Sequence, residues 1–359
     1  ARYPLQSEDV TVAEVLKSAG YRTTLIGKWG LGETETTGVP AQQGFDYFFG
    51  YLNQRHAHNY YPSFLWRNEE RVKLRNIVPN EDAEGSGVST NKLDYSPDLF
   101  TAEALSFVEK SRKESFFLYL AYILPHANNE AKNKGMEVPD LGEFANKEWP
   151  EPEKGKAAMI TRMDRDIGRL MALLKKLGLD NDTAVFFTSD NGSHKEGGAN
   201  PDFHDSNGPL RGIKRDLYEG GIRVPMIVRW PGKVKAGKIS GQVWAHWDFL
   251  PTAAEITGTK APSNIDGISM LPALLGHKQR NHDFLYWEFH EGGFEQAVRM
   301  GDWKAVRHAP DAAIELYDLK TDVSEQQNIA AKHPDAVKKI EDYLKSARTE
   351  SKLWPIKSP

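Results

Sequence analysis

Three places in the 359-residue sequence put a chemistry-bearing side chain just past an apolar run that reads as a strand. In Thr183–Gly192 the run Ala184–Phe187 stops at Ser189-Asp190-Asn191-Gly192. An apolar run of this kind, rich in β-branched and aromatic residues, predicts a strand buried on both faces. The neighbouring carboxylate and amide oxygens of Asp190 and Asn191 suit a hard cation such as calcium or magnesium. The same four residues also fit an Asx turn that closes a strand on its own backbone. Tyr21–Ile26 runs into Gly27-Lys28, and Phe116–Ala121 runs into Leu124-Pro125-His126. Lys214 lies in the polar, glycine-bearing segment that follows Gly192. Ligands of open α/β sheets sit beyond the carboxyl ends of strands. A divalent cation and two lysines would neutralise an anionic ester and the charge growing in its transition state. A histidine could protonate the departing alkoxide. One reaction would require Lys28, His126, Asp190, Asn191 and Lys214 to gather around a single anion. No Gly-x-x-x-x-Gly-Lys loop is present, which argues against nucleotide hydrolysis by that route.

A second group, Arg55-His56-Ala57-His58-Asn59-Tyr60-Tyr61, mixes aromatic and polar side chains. On a strand His56 and His58 would share a face. As metal ligands they would need partners that the sequence does not identify. The segment reads instead as a surface for a polar ligand such as a sugar, with His56 and His58 as substrate-binding residues.

The positioning elements alternate. Thr11 and Glu14 form a capping box for a short helix that stops at Gly20, and Tyr21–Ile26 is the next strand. A helix starts at Pro97-Asp98, before the strand 116–121. Residues 69–90 and 127–153 read as loops. Ala157–Leu177 is a long amphipathic helix capped by Gly178, Val224–Trp230 a strand, and Asp248–Gly258 a short helix. Phe284–Glu288, Gln296–Arg299, Lys304–Val306 and Glu315–Tyr317 are short strands, and Pro334–Ser346 is a last helix. Alternating helices and strands followed by a run of strands predict an α/β unit, 1–276, with a small antiparallel α+β subdomain, 277–359.

Composition narrows the field. A net charge of -4 and a pI near 6.3 give no reason to invoke nucleic acid or an anionic membrane. No apolar run is long enough to span a bilayer. With no cysteine, disulfides, thiolate metal sites and a cysteine nucleophile are excluded within these residues. The chain opens Ala-Arg-Tyr-Pro without Met, which reads as a processed or truncated start. Asn181-Asp182-Thr183 and Asn191-Gly192-Ser193 spell glycan acceptors, the second incompatible with a metal-binding Asn191.

Gly27-Lys28-Trp29-x-Leu31-Gly32, Pro125-His126, Ser189-Asp190-Asn191-Gly192 and Gly212-x-Lys214 with Glu219-Gly220-Gly221-x-Arg223 together resemble the type I sulfatases. The likeness extends through Trp230-Pro-Gly and Leu316-Tyr317-Asp318-Leu319. It implies the alkaline-phosphatase-like fold, with a mostly parallel sheet flanked by helices. It implies Ca2+, with Mg2+ as the alternative, held partly by Asp190 and Asn191. It places Lys28 near the nucleophile, and His126 and Lys214 on the sulfate and leaving group. The implied nucleophile is a formylglycine made from Cys or Ser in a Cys/Ser-x-Pro-Ser-Arg motif. That motif is absent from residues 1–359 and would lie upstream of Ala1, so the fragment alone is expected to be inactive. Gly30 stands where the family commonly has His; His204 is a candidate substitute. Arg223 reads as a brace for the loop that carries Lys214. The expected substrate is a sulfated carbohydrate, and export to the periplasm or outside the cell follows from the resemblance. The alternatives are a phosphodiesterase or phosphonate hydrolase of the same superfamily, and a degenerate sulfatase that binds sulfated glycans without catalysis.

Overall fold

The computed structural model describes residues 3–356. They form two compact units interleaved along the sequence. Unit one holds the described residues up to Val185, with Lys195–Ala199 and Arg229–Gln279; unit two holds Phe186–His194, Asn200–Val228 and the described residues from Arg280 onward. Not legible in the sequence was that the segments around Asp190 and Lys214 group with the C-terminal strands.

Unit one opens with helix α1 (Val12–Ser18). The capping box is present: Glu14 N–H donates to Thr11 Oγ1 at 3.2 Å, and Thr11 N–H donates to Glu14 Oε2 at 2.7 Å. Strand β1 (Arg22–Lys28) follows, its five central residues buried. Next come β2 (Tyr47–Tyr51), β3 (Phe64–Arg67), β4 (Glu70–Lys73), helix α2 (Ser96–Ser111), β5 (Phe116–Ala121) and helix α3 (Glu151–Lys176). The sheet order is β4-β3-β2-β1-β5. Strand β1 runs parallel to both neighbours, while β2–β3 and β3–β4 are antiparallel. The sheet therefore has a parallel heart and a hairpin at one edge. Ile26, Phe49, Tyr51, Tyr60, Phe100 and Met159 form the larger core cluster; Ala13, Leu25, Phe45, Phe48 and Leu52 form a second.

The two parallel neighbours approach β1 closely at Gly27, the residue before Lys28. Gly27 has φ +116°, and a Cβ there would lie 2.0 Å from the Ala121 carbonyl oxygen. Only glycine tolerates that backbone beside that carbonyl. Gly27→Ala is expected to cost about 3 kcal/mol or more in urea unfolding, because backbone must move. A cost within about 0.5 kcal/mol, the usual range for an unstrained surface site, would show that β1 and β5 adjust freely.

Three expectations are corrected in unit one. Residues 69–90 are not all loop, since β4 pairs with β3 at the sheet edge; its charged sequence Glu-Arg-Val-Lys hid a mostly exposed strand. Helix α3 begins at Glu151, six residues before the expected start, because Pro152 sits in its first turn, where a missing N–H costs nothing. Strand β5 is not deeply buried: it is the edge strand of its sheet, and Tyr119 is 49% exposed. Helices α5 (Phe249–Thr257, ended by the left-handed Gly258) and α6 (Leu271–Leu274) complete the unit.

In unit two, helix α4 spans Glu219–Ile222. Strand β6 (Val185–Thr188) pairs with β7 (Met226–Arg229) in a two-stranded sheet. The expectation that β6 is buried on both faces fails: Val185–Phe187 are half-buried and Thr188 is exposed, as a two-stranded ribbon cannot cover both faces. Strands β8 (Leu285–Phe289), β9 (Glu295–Met300), β10 (Trp303–Arg307) and β11 (Glu315–Asp318) form an antiparallel sheet in the order β11-β10-β9-β8. Helix α7 (Pro334–Leu344) packs Ile340 against Val298, Ala305 and Leu316. This is the predicted antiparallel subdomain. Among the described residues no helix is long and apolar enough to cross a membrane.

Candidate active site

Unit one presents Lys28 and His126 at the same end of adjacent parallel strands. Lys28 is the last residue of β1, in register with Tyr51 of β2. His126 follows β5 in a turn closed by its own N–H donating to the Ile123 carbonyl at 2.8 Å. Residues 52–60 join the two ends. Asn53 Oδ1 accepts from the N–H of Arg55 at 2.7 Å and of His56 at 3.3 Å, shaping a 3-10 turn over His56–His58. Tyr51 Oη donates to the Asn59 carbonyl at 2.6 Å, and Tyr60 Oη bonds the carbonyls of Ile123 and His126. The aromatic residues of this segment thus act mainly as internal braces: Tyr60 and Asn59 are fully buried.

The two histidines expected to share a strand face sit on that 3-10 turn and part company. His56 is completely buried, with its ring edge-on to Tyr51 and tilted against Phe64. With no exposed surface it is a core residue here, so the substrate-binding role expected of it is not met in this conformation. Burial first, and the charge of Arg71 second, push its pKa down to about 3. Between the ordinary value of 6.5 and that figure the unfolded chain holds a proton that the folded chain lacks, so stability falls as pH is lowered through this window. His56→Phe is expected to remove a slope of up to about 1.4 kcal/mol per pH unit. Urea midpoints of both proteins at pH 7 and pH 5 read it; equal losses would contradict it.

His58 instead stacks on His126, ring centroids 5.2 Å apart and ring planes nearly parallel at 12°. Its Nδ1 is 3.2 Å from Glu130 Oε2. Burial lowers its pKa despite Glu130, and the Lys28 charge acts in the same direction. His126 Nδ1 donates to the Ala127 carbonyl at 2.7 Å, and its Nε2 is 3.3 Å from Glu196 Oε2. Arg55 adds a cation paired with Asp82 at 2.9 Å. The sequence reading missed Glu130 and Glu196. One signal for Glu130 was local: Asn128 caps its turn by accepting the Glu130 N–H at 3.2 Å. At Gly30, a Cβ would lie 2.9 Å from the Gln54 carboxamide oxygen, and φ is +79°, so the backbone itself favours glycine where the resemblance anticipates histidine.

In unit two, Asp190 and Asn191 lie directly past β6. Asp190 is exposed and Asn191 half-buried. Asn191 Nδ2 donates to the Gly192 carbonyl at 2.9 Å, which commits the amide nitrogen to the backbone. Lys214 N–H donates to the Ser193 carbonyl at 2.7 Å, and Gly192 N–H to the Gly221 carbonyl at 3.0 Å. The Asp190–Asn191 turn and the Lys214 loop are therefore laced together. Their anchor is buried: Glu219 Oε1 receives Lys304 Nζ at 3.0 Å, and Glu219 N–H donates to Glu325 Oε2 at 2.7 Å. Arg223 lies 3.6 Å from the Glu219 carboxylate, as a brace would. His204 packs edge-on to Phe203. The carboxylate and amide oxygens of Asp190 and Asn191 suit a hard cation, which needs six or more oxygens. Among the described residues no group of three His, Asp or Glu side chains gathers for a metal, so this pair can supply only part of a coordination shell.

Comparison with known proteins identifies the architecture. The sulfatase family description matches residues 3–259, and that of the C-terminal part of N-sulphoglucosamine sulphohydrolase matches 213–352. The chain belongs to the sulfatase family. It is 30% identical over 331 residues to mouse N-acetylgalactosamine-6-sulfatase, covering 88% of this chain and 58% of that protein. It is 29% identical to the N-acetylgalactosamine-6-O-sulfatase of Bacteroides thetaiotaomicron, covering 95% and 77%. The solved structure of Ps i-CgsB in complex with k-i-k-neocarrahexaose superposes with a TM-score of 0.81 at 26% identity, covering all of this chain and 78% of that one. The alkaline-phosphatase-like fold expected from the sequence holds. This sulfatase chain spans little more than half the length of the mouse relative.

Proposed function

We propose that the protein hydrolyses sulfate esters of carbohydrates. What supports this reading is that Lys28 and a His126 ring fixed through Nδ1 to the Ala127 carbonyl both lie beyond the same end of the adjacent parallel strands β1 and β5. That bond commits Nδ1 to the backbone, so Nε2, 3.3 Å from Glu196 Oε2, is the ring atom that can pass a proton to a departing oxygen. Lys28 and Lys214 bind and neutralise the sulfate group, and His126 gives a proton to the alcohol as the S–O bond breaks. Glu130 holds His58, which contacts the sugar. Asp190 and Asn191 would contribute oxygens to a calcium or magnesium ion, which would supply positive charge for the sulfate when bound. The nucleophile is a formylglycine from outside residues 1–359. The sugar class is supported by the carbohydrate sulfatases among the relatives, and export to the periplasm or beyond the cell belongs to the same reading.

An aryl sulfate and the matching aryl phosphate test it, offered both to residues 1–359 and to a protein that carries the nucleophile motif ahead of them. Sulfate release by the longer protein alone, faster than phosphate release, is the expected result. Turnover by residues 1–359 alone, or a preference for phosphate, would overturn it.

A further inference from the structure

The Nε2 atom of His126 has a partner that the hydrolytic scheme does not use. Nδ1 lies 2.7 Å from a carbonyl oxygen, which can only accept, so Nδ1 carries a proton. Nε2 lies 3.3 Å from a carboxylate oxygen of Glu196, which as an anion can also only accept. In a neutral ring with the proton on Nδ1, Nε2 would turn a lone pair toward that anion; the 3.3 Å contact is attractive only when the ring carries a second proton and with it a positive charge. Glu196 is well placed to insist on this: its side chain is 16% exposed and that of His126 20%, so water screens the pair only partly.

The surroundings of the pair are consistent with one charged ring, not two. His58 stacks on His126 at 5.2 Å, and two stacked imidazolium rings would repel. Burial and the Lys28 charge favour the neutral form of His58, although Glu130 at 3.2 Å pulls the other way. The Glu196 loop is brought in by close packing: at Gly197 a Cβ would fall 2.5 Å from the Ala127 Cβ, so only a residue without one lets the turn lie against Ala127, the residue after His126. Glu196 from the 196–198 turn and His58 from the 56–58 turn both face the His126 ring, and the charges of Glu130 and Lys28 act on His58.

We propose that Glu196 is a positioning residue that keeps His126 doubly protonated in the resting protein, so that the ring stands ready as the acid for the leaving alcohol. The idea rests on the sulfatase reading for its purpose but not for its test. In the step itself the oxygen of the attacking nucleophile bonds to sulfur as the S–O bond to the alcohol breaks with its electron pair on the alcohol oxygen, the Nε2 proton passes to that oxygen, and His126 is left neutral with Glu196 still anionic. The negative charge of Glu196 then favours return of a proton from water to Nε2.

The experiment is nitrogen-15 NMR of histidine-labelled residues 1–359, which needs no turnover. His126 is expected to show two protonated ring nitrogens at pH 7, and its deprotonation midpoint is expected to fall by about one pH unit or more in Glu196→Gln, as loss of an adjacent opposite charge does. Glu196→Asp should restore part of the shift. A neutral His126 ring at pH 7 in the unaltered chain, or a midpoint unmoved by Glu196→Gln, overturns the proposal. In the active protein the same variant should move the alkaline limb of the kcat profile down by the same amount. If NMR shows the shift but no sulfate ester is turned over, the sulfatase reading fails and the Glu196 assignment stands.

Discussion

Lys304→Met is expected to destabilise unit two by about 3–5 kcal/mol, the cost of leaving buried charges without their partner. Lys304 is fully buried in β10, with Glu219 at 3.0 Å and Glu325 at 3.4 Å, and both carboxylates are themselves buried. Arg299 and Arg223 stand 3.6 Å from the far oxygen of Glu219, too long for hydrogen bonds and unable to replace the ammonium. Burial, then the charge of Glu219, push the Glu325 pKa upward, and Lys304 opposes both. Without the lysine one carboxyl must take up a proton or the cluster must open. Opening it frees Glu219, whose N–H is held by Glu325, and with it the loop that carries Lys214. Urea unfolding reads the loss. A second variant, Lys304→Met with Glu219→Gln, should recover part of it, because the uncompensated charge goes too. A loss under about 1 kcal/mol, the worth of an exposed pair, would mean the cluster is hydrated and not an anchor.

His126→Ala is the second large effect. Loss of a positioned general acid typically costs 10²–10⁴-fold in rate, and that range is expected for kcat on an alkyl sulfate of a sugar, whose alkoxide leaves badly without a proton. With an aryl sulfate of an acidic phenol the loss should be much smaller, since that leaving group needs little help. The contrast between the two substrates separates acid catalysis from a general disturbance of the fold, which would slow both alike. Equal losses on both would remove His126 from the proton-transfer role.

The parts legible in the sequence are those governed by local rules. The Thr11–Glu14 capping box, the buried run of β1 and the four short C-terminal strands each follow from spacing and residue type, and all are present. Lys28 and His126 stand out in the sequence because a polar residue after a strand is a positional signal. His56 misled because two-residue spacing implies a shared face only on a strand, and the Asn53 side chain bends this stretch into a turn instead. Glu130 and Glu196 were missed for another reason. They sit 66 residues apart by their numbers, on turns without periodicity, and reach His58 and His126 only through tertiary packing. The Glu219–Lys304–Glu325 anchor is likewise a long-range assembly, since a buried lysine on a strand looks in sequence like a solvent-facing one.

The most direct measurement is sulfate release from a sulfated hexosamine, followed by ion chromatography, by the nucleophile-bearing protein and its Lys28→Ala variant. Release of inorganic sulfate that falls at least 100-fold without Lys28, in the range of about 10²–10³ seen when one transition-state donor is removed, is the predicted result. Release that proceeds equally well without Lys28, or no release from any sulfated sugar while the protein remains folded, would contradict the assignment.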